Sequence, residues 1–174
     1  MSTLVAIDPS LTRLGFAVFE RGELVRTGVV RGKTKASEDI VHRVTHIAHR
    51  TMYEIGARLS IQDMVFEWPQ LYGTGKSKGS PNKLMPLAAV CSAIGSIVSL
   101  RGARLHSYLP SEWAGQVPKC TTVAGCKSSP RALRILSRLS VEEQSVWNEA
   151  KYDDEIDAIG IGLKFLGRYE RKRA

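Results

Sequence analysis

The chain has 174 residues, 43% hydrophobic and 24% charged, a composition that excludes general disorder and fits one domain rather than two. Lys and Arg outnumber Asp and Glu by 25 to 17, a net charge of +8 that suits a polyanionic partner, nucleic acid being the commonest. Cys91, Cys120 and Cys126 are too few and too scattered for a disulfide framework or a close-paired zinc site, so reduced thiols in a cytoplasmic setting are expected. No signal-peptide pattern is visible in MSTLVAIDPS, and no membrane association is expected: the longest apolar stretch, Leu84 to Leu100, is interrupted by Pro, Ser and Gly and is short for a span.

Leu4-Val5-Ala6-Ile7 reads as a buried strand stopping at Asp8-Pro9. Gly15 to Phe19 and Leu24 to Val30, joined through a turn at Glu20 to Glu23, complete an antiparallel meander. A polar loop from Gly32 follows, with Ser37 placed to cap a helix whose apolar residues Ile40, Val44, Ile47, Thr51 and Ile55 recur at helical spacing. Met64 to Glu67 is another short strand, closed by Trp68-Pro69. Residues 71–83 form a Gly, Ser and Lys-rich loop, Leu84 to Leu100 an apolar helix, and Arg104 to Tyr108 a strand. Ser128-Ser129-Pro130 opens a helix through Leu139, and a last helix spans about Asp153 to Leu166 before a basic tail from about Arg168. Later strands separated by helices imply parallel pairing through right-handed crossovers. The expected architecture is a single α/β domain over residues 1–174, a mixed sheet of about five strands, the first three antiparallel, with helices on both faces.

Open α/β sheets place their sites at strand ends. Asp8 and Glu67 each end a strand, and would stand side by side if those strands are neighbours. Asp154 and Asp157 lie three apart and share one face of the final helix. Carboxylates gathered together repel unless cations lie between them, and hard oxygen ligands suit Mg²⁺ or Mn²⁺. Two such ions about 4 Å apart can clamp the attacking and leaving oxygens of a phosphodiester. The basic remainder of the chain would then meet the substrate backbone.

Ala6-Ile7-Asp8-Pro9-Ser10, Gly15-Phe16-Ala17-Val18, Phe66-Glu67 and Asp154-Glu155-Ile156-Asp157-Ala158-Ile159, in that order, resemble the RuvC family of Holliday junction resolvases, part of the ribonuclease H-like superfamily. The Gly and Lys-rich insert after Trp68 looks more like compact phage-borne members than cellular ones. The resemblance implies a homodimer with two active sites, making paired symmetric nicks across a four-way DNA junction and leaving 5′-phosphate and 3′-hydroxyl ends. By position, Asp8, Glu67, Asp154 and Asp157 take the places of the family's metal-binding acids, with two Mg²⁺ per site and Mn²⁺ as a substitute. Two departures stand out. Ser10 follows the Asp-Pro pair where the family often has Gly, and Arg131 stands where it usually carries a Lys, which casts doubt on proton handling there. Trp68 and Tyr72 are candidates to wedge at the junction centre, base stacking contributing roughly 1–3 kcal/mol per base. Lys76, Lys78, Lys83, Lys119, Lys127 and Arg131 are candidates to meet phosphates.

Three further signals carry less. Residues 70–77 nearly spell a nucleotide-binding P-loop, but Gln70 replaces its first Gly and Pro81 and Pro86 crowd the required helix, so no nucleotide cofactor is expected. His42, His46 and His49 line one helical face without a fourth ligand and read as a solvated or DNA-facing stripe. The helix from Leu84, apolar nearly all round, is either core or subunit interface. Competing readings are an actin-like ATP-dependent kinase, which needs two such domains, a module that binds branched DNA without cutting it, and a nuclease acting on flaps, Y-junctions or RNA–DNA hybrids.

Overall fold

The computed structural model describes residues 2–32, 39–56, 59–70, 81–114 and 127–169, with 81–83 described by their backbone alone. Strands β1 (Thr3–Asp8), β2 (Arg13–Glu20), β3 (Glu23–Arg31), β4 (Asp63–Glu67) and β5 (Arg104–Tyr108) form one sheet in the order β3-β2-β1-β4-β5. The meander β1-β2-β3 is antiparallel, and β1 to β4 and β4 to β5 are parallel, as expected. Helix α1 (Ile40–Ile55) leads into β4 and α2 (Pro81–Ser99) leads into β5. The short α3 (Pro110–Trp113), α4 (Pro130–Leu136), α5 (Val141–Glu149) and α6 (Asp153–Phe165) follow.

The period-two alternation of the strands sorts their side chains into two cores. Leu4 and Ala6 of β1, Ala17 and Phe19 of β2 and Val65 of β4 pack under α3 to α6. Val5 and Ile7, Phe16 and Val18, and Met64 and Phe66 pack under α1 and α2. Continuing the alternation puts Asp8, Glu67, Gly15 and Arg13 on the α6 side.

Helix α1 buries Val44, Ile47, Ala48, Thr51, Met52 and Ile55, the stripe read from the sequence except for Ile40, which lies exposed in the first turn. Its N-cap is Asp39, whose carboxylate accepts from the Val41 N–H at 2.7 Å; Ser37, the expected cap, lies outside the described residues. Helix α2 starts at Pro81, three residues earlier than expected, the ring's fixed φ suiting a first helical position. It is not buried all round: Val90, Cys91, Ile94 and Val98 enter the core, while Met85 is 70% exposed and Leu100, just past the helix end, 89%. The helix expected to reach Leu139 ends at Leu136, because Arg138 and Leu139 bond back only three residues, to Ile135 and Leu136, in tightened turns. Helix α5 was not foreseen; it buries only Glu143 and Trp147, too sparse a stripe to register as periodicity. No helix among the described residues is long and apolar enough to cross a membrane.

Helix α6 lies close against the sheet. A Cβ on Gly162 would come 2.1 Å from the Phe19 ring, so only glycine permits that approach. Glu155 fixes its start, accepting from the backbone N–H groups of Lys151 and Tyr152 at 2.8 and 2.9 Å.

Candidate active site

The register places the acids. Ile7 is level with Phe66 in the parallel β1–β4 pair, so Asp8 and Glu67 end neighbouring strands side by side, about 4.8 Å apart by ordinary strand spacing. Both charges reach one thiol. Cys91 of α2 donates to the Glu67 carbonyl at 3.9 Å, and its pKa is pushed up to about 12, by burial first and then by the negative charges of Asp8 and Glu67. On the other side Asp8 pairs with Gly15 of β2. Gly15 leaves room for the first turn of α6, since a Cβ there would sit 2.0 Å from the Asp154 carbonyl oxygen. Asp154 therefore stands over the residue opposite Asp8. Asp157 is one turn further along the same helix face and only 2% exposed.

Asp8 and Glu67 thus end β1 and β4 side by side, Asp154 and Asp157 come from α6, and the chain supplies groups that balance them. Arg13 gives its Nε–H to Asp154 and an Nη2–H to Asp153, the latter at 2.7 Å. Arg131 donates from Nη1 to both oxygens of Asp157, at 3.2 and 3.3 Å. The indole N–H of Trp113 donates to Glu67 at 2.6 Å, and the Arg131 guanidinium lies 5.3 Å from the Trp113 ring centroid. Glu67, Trp113, Arg131 and Asp157 thus form a continuous chain of contacts. Among the described residues no three Asp, Glu, His or Cys side chains stand together as a ready-made metal cage. Asp154 and Asp157 are turned toward guanidinium groups instead. The sequence reading expected metal cations between the acids; it did not foresee arginines paired with them.

The other predicted residues fall in several places. Trp68 follows Glu67, is 39% exposed, and lines a cleft of about 360 Å³ together with Ser92, Ser96 and Ser99 of α2. Lys127 donates to the Asn148 carbonyl at 2.7 Å, and Arg131 points inward to Asp157. Tyr72, Lys76, Lys78 and Lys119 lie outside the described residues, as do the side chain of Lys83 and the residues after Tyr169. Of the histidine stripe, His42 and His49 are exposed and His46 is half-buried, on the outer face of α1. Asp153, left open by the sequence between helper and cap, is an ion-pair partner of Arg13. Arg13 and Trp113 were missed altogether. Arg13 is separated from Asp154 by 141 residues, and no spacing rule connects them.

A mixed sheet of this strand order, crossed by a helix that brings acids to the ends of its two central parallel strands, is a ribonuclease H-like fold. More narrowly, it is the fold of the RuvC-type resolvases. The structure matches Thermus thermophilus RuvC in complex with Holliday junction substrate at TM-score 0.64 and 21% identity, covering 97% of this chain and 96% of that one. It matches a second Thermus thermophilus RuvC structure at TM-score 0.62 and 19% identity, over 95% and 97% of the two chains. The yeast mitochondrial Holliday junction resolvase Ydc2 matches at TM-score 0.61 and 13% identity, over 97% of this chain and 80% of that one. No family model matches the sequence, and no curated protein is significantly similar to it.

Proposed function

We propose that this chain is a Holliday junction resolvase, a DNA endonuclease that hydrolyses one phosphodiester in each of two opposed strands of a four-way junction. What supports this reading is a RuvC-like fold in which Asp8 and Glu67 end neighbouring strands and the start of α6, carrying Asp154 and Asp157, lies over the residue opposite Asp8. The net charge of +8 supports a nucleic-acid substrate.

Four hard carboxylate donors on three elements are a set that fits Mg²⁺ or Mn²⁺, and these residues would hold the ions. Bound there, such ions supply Lewis acidity at the phosphodiester and a potent nucleophile at neutral pH. The chain's own groups prepare that site. Trp113 holds the Glu67 carboxylate, and Arg13 and Arg131 pair with Asp154 and Asp157. Trp68 stands at the rim of its cleft, where a base can stack on it. We include a homodimer in the reading. A groove of about 450 Å³ between α1 and α2, lined by Ile40, Val41, Val44, Met85, Pro86 and Ala89, supports it, and sedimentation at working concentration checks it.

The test compares a four-way junction, a flap, a Y-junction and an RNA–DNA hybrid in one Mg²⁺ assay. Symmetric nicks in the junction are expected. Asp8→Asn should cut at least about 10³-fold more slowly, the several kcal/mol that metal-assisted catalysis supplies, while still binding the junction. Wild-type rates in that variant would sink the assignment. Preference for a flap or hybrid would move the substrate and leave the chemistry.

A further inference from the structure

Beside the acids lies a second cluster that the proposed chemistry does not use. Arg13 and Arg31 are direct cross-strand partners on β2 and β3, on the sheet face that looks toward α6. Like charges directly opposite each other on a sheet repel. Both are instead gathered at Tyr152, which precedes α6: the guanidinium carbons lie 5.0 and 5.3 Å from its ring centroid, and Arg31 donates to the Tyr152 hydroxyl. The two arginines differ in what they have left to offer. Arg13 spends two N–H groups on Asp153 and Asp154. Arg31 is exposed, pairs with no carboxylate among the described residues, and gives only one of its five donors to the neutral tyrosine. Reading outward along the edge, the order is Asp8 with Asp154, then Arg13, then Tyr152, then Arg31. Lys151, also exposed, adjoins the ring in sequence.

A cation held on an aromatic platform loses little further rotamer freedom when it binds an anion, and a guanidinium fork matches two phosphate oxygens. We propose that Arg31, positioned by Tyr152, is a phosphate contact for the DNA strand being cut, one step outside the acid site and on the side of the sheet away from Trp68. This rests on the resolvase reading. It adds a contact on the β2–β3 side, whereas the basic residues expected from the sequence lie between β4 and β5 or between β5 and the first turn of α4.

The test measures binding of a labelled four-way junction, without added metal, between about 50 and 200 mM salt. Arg31→Gln should bind about fivefold to tenfold more weakly, with the slope of log affinity against log salt reduced by about one. Arg31→Lys should restore the slope, and Tyr152→Phe, which keeps the ring, should lie near wild type. Tyr152→Ala should resemble Arg31→Gln, and the double variant should be no worse than either. Thermal unfolding checks that Arg31→Gln, at an exposed position, keeps its fold. A wild-type slope in Arg31→Gln alongside wild-type junction binding overturns the clamp alone. So does loss of binding in Tyr152→Ala with Arg31→Gln unchanged, which would assign the ring to base stacking. Failure of the wild-type protein to bind any DNA overturns the resolvase reading, and the clamp with it.

Discussion

Strand β4 carries an acid at each end, and the two ends are built on different plans. Asp63 opens the strand and is satisfied by its immediate neighbour β5. Arg104, its register partner, clasps it with two bonds of 2.9 and 2.7 Å, and His106 approaches to 2.8 Å. Glu67 closes the same strand, on the same face, and accepts from Trp113 of α3, whose ring lies against Arg131 of α4, itself paired with Asp157 of α6. Another acid, Glu143, follows the Asp63 plan. Only 1% exposed, it accepts from Arg168 and from the backbone N–H groups of Leu24 and Ser140. Acids of that kind are parts of the scaffold, each with its own donors close by. Acids drawn to one point from distant parts of the chain raise the energy of the fold by mutual repulsion. Here Arg13 and Arg131 offset part of that repulsion, and the proposed metal ions would offset the rest.

The contrast can be broken experimentally. The largest effect after the loss of Asp8 is expected at Gly15→Ala, whose new Cβ would collide with Asp154 and push α6 off the edge. Cleavage should drop about 10²-fold, the cost of a displacement near 1 Å, with about 1–3 kcal/mol of stability lost in denaturant unfolding. Glu143→Ala should do the reverse, removing about 2–3 kcal/mol of stability while each folded molecule cuts at the wild-type rate. If it cut slowly, the division between scaffold and site would fail. Asp63→Asn should be milder still, about 1 kcal/mol or less, because Arg104 is 73% exposed and its pairing is screened.

Acid titration sharpens the same division. Burial alone would raise the pKa of both scaffold acids, but hydrogen bonds outweigh it: from Arg104 and His106 to Asp63, and from Arg168 and the Leu24 N–H to Glu143. Both are held below the usual carboxylate range. A depressed carboxylate stabilises the fold fully above its unfolded value, about 4, and that stability is lost as pH falls through the lower folded value. Melting temperature should therefore fall steeply below about pH 4, and Glu143→Ala should flatten the fall.

The strands and the long helices were legible because each carries its own signal. Ile40 to Ile55 shows a 3.6-residue stripe, and the apolar runs at Leu4 to Ile7 and Met64 to Phe66 end abruptly in an acid. The strand-end rule, together with the family resemblance, singled out Asp8 and Glu67, and the register places them at the ends of neighbouring strands. What stayed hidden depends on contacts far apart in sequence or on short elements. Trp113 sits in a four-residue helix too brief for any period, yet it holds Glu67. Arg13 reads as an ordinary strand-start cation until α6 arrives above it. Gly15 and Gly162 gave no hint of the close approaches they permit, since a glycine in a strand or helix is silent until its neighbour is known.

That last dependence bears on how the protein is made. Asp8 emerges from the ribosome early, Glu67 midway and Asp157 late, and the Arg13–Asp154 contact spans 141 residues. The early strands can pair as they appear, but Asp154 and Asp157 take their places only when α6 settles over β1 and β2. A nascent or abortively shortened chain lacking α6 thus carries half an acid site and none of the helix that completes it. Under the proposed resolvase reading, nicking activity would arrive only with the final long-range contacts, and the order of synthesis itself would keep the unfinished chain inert.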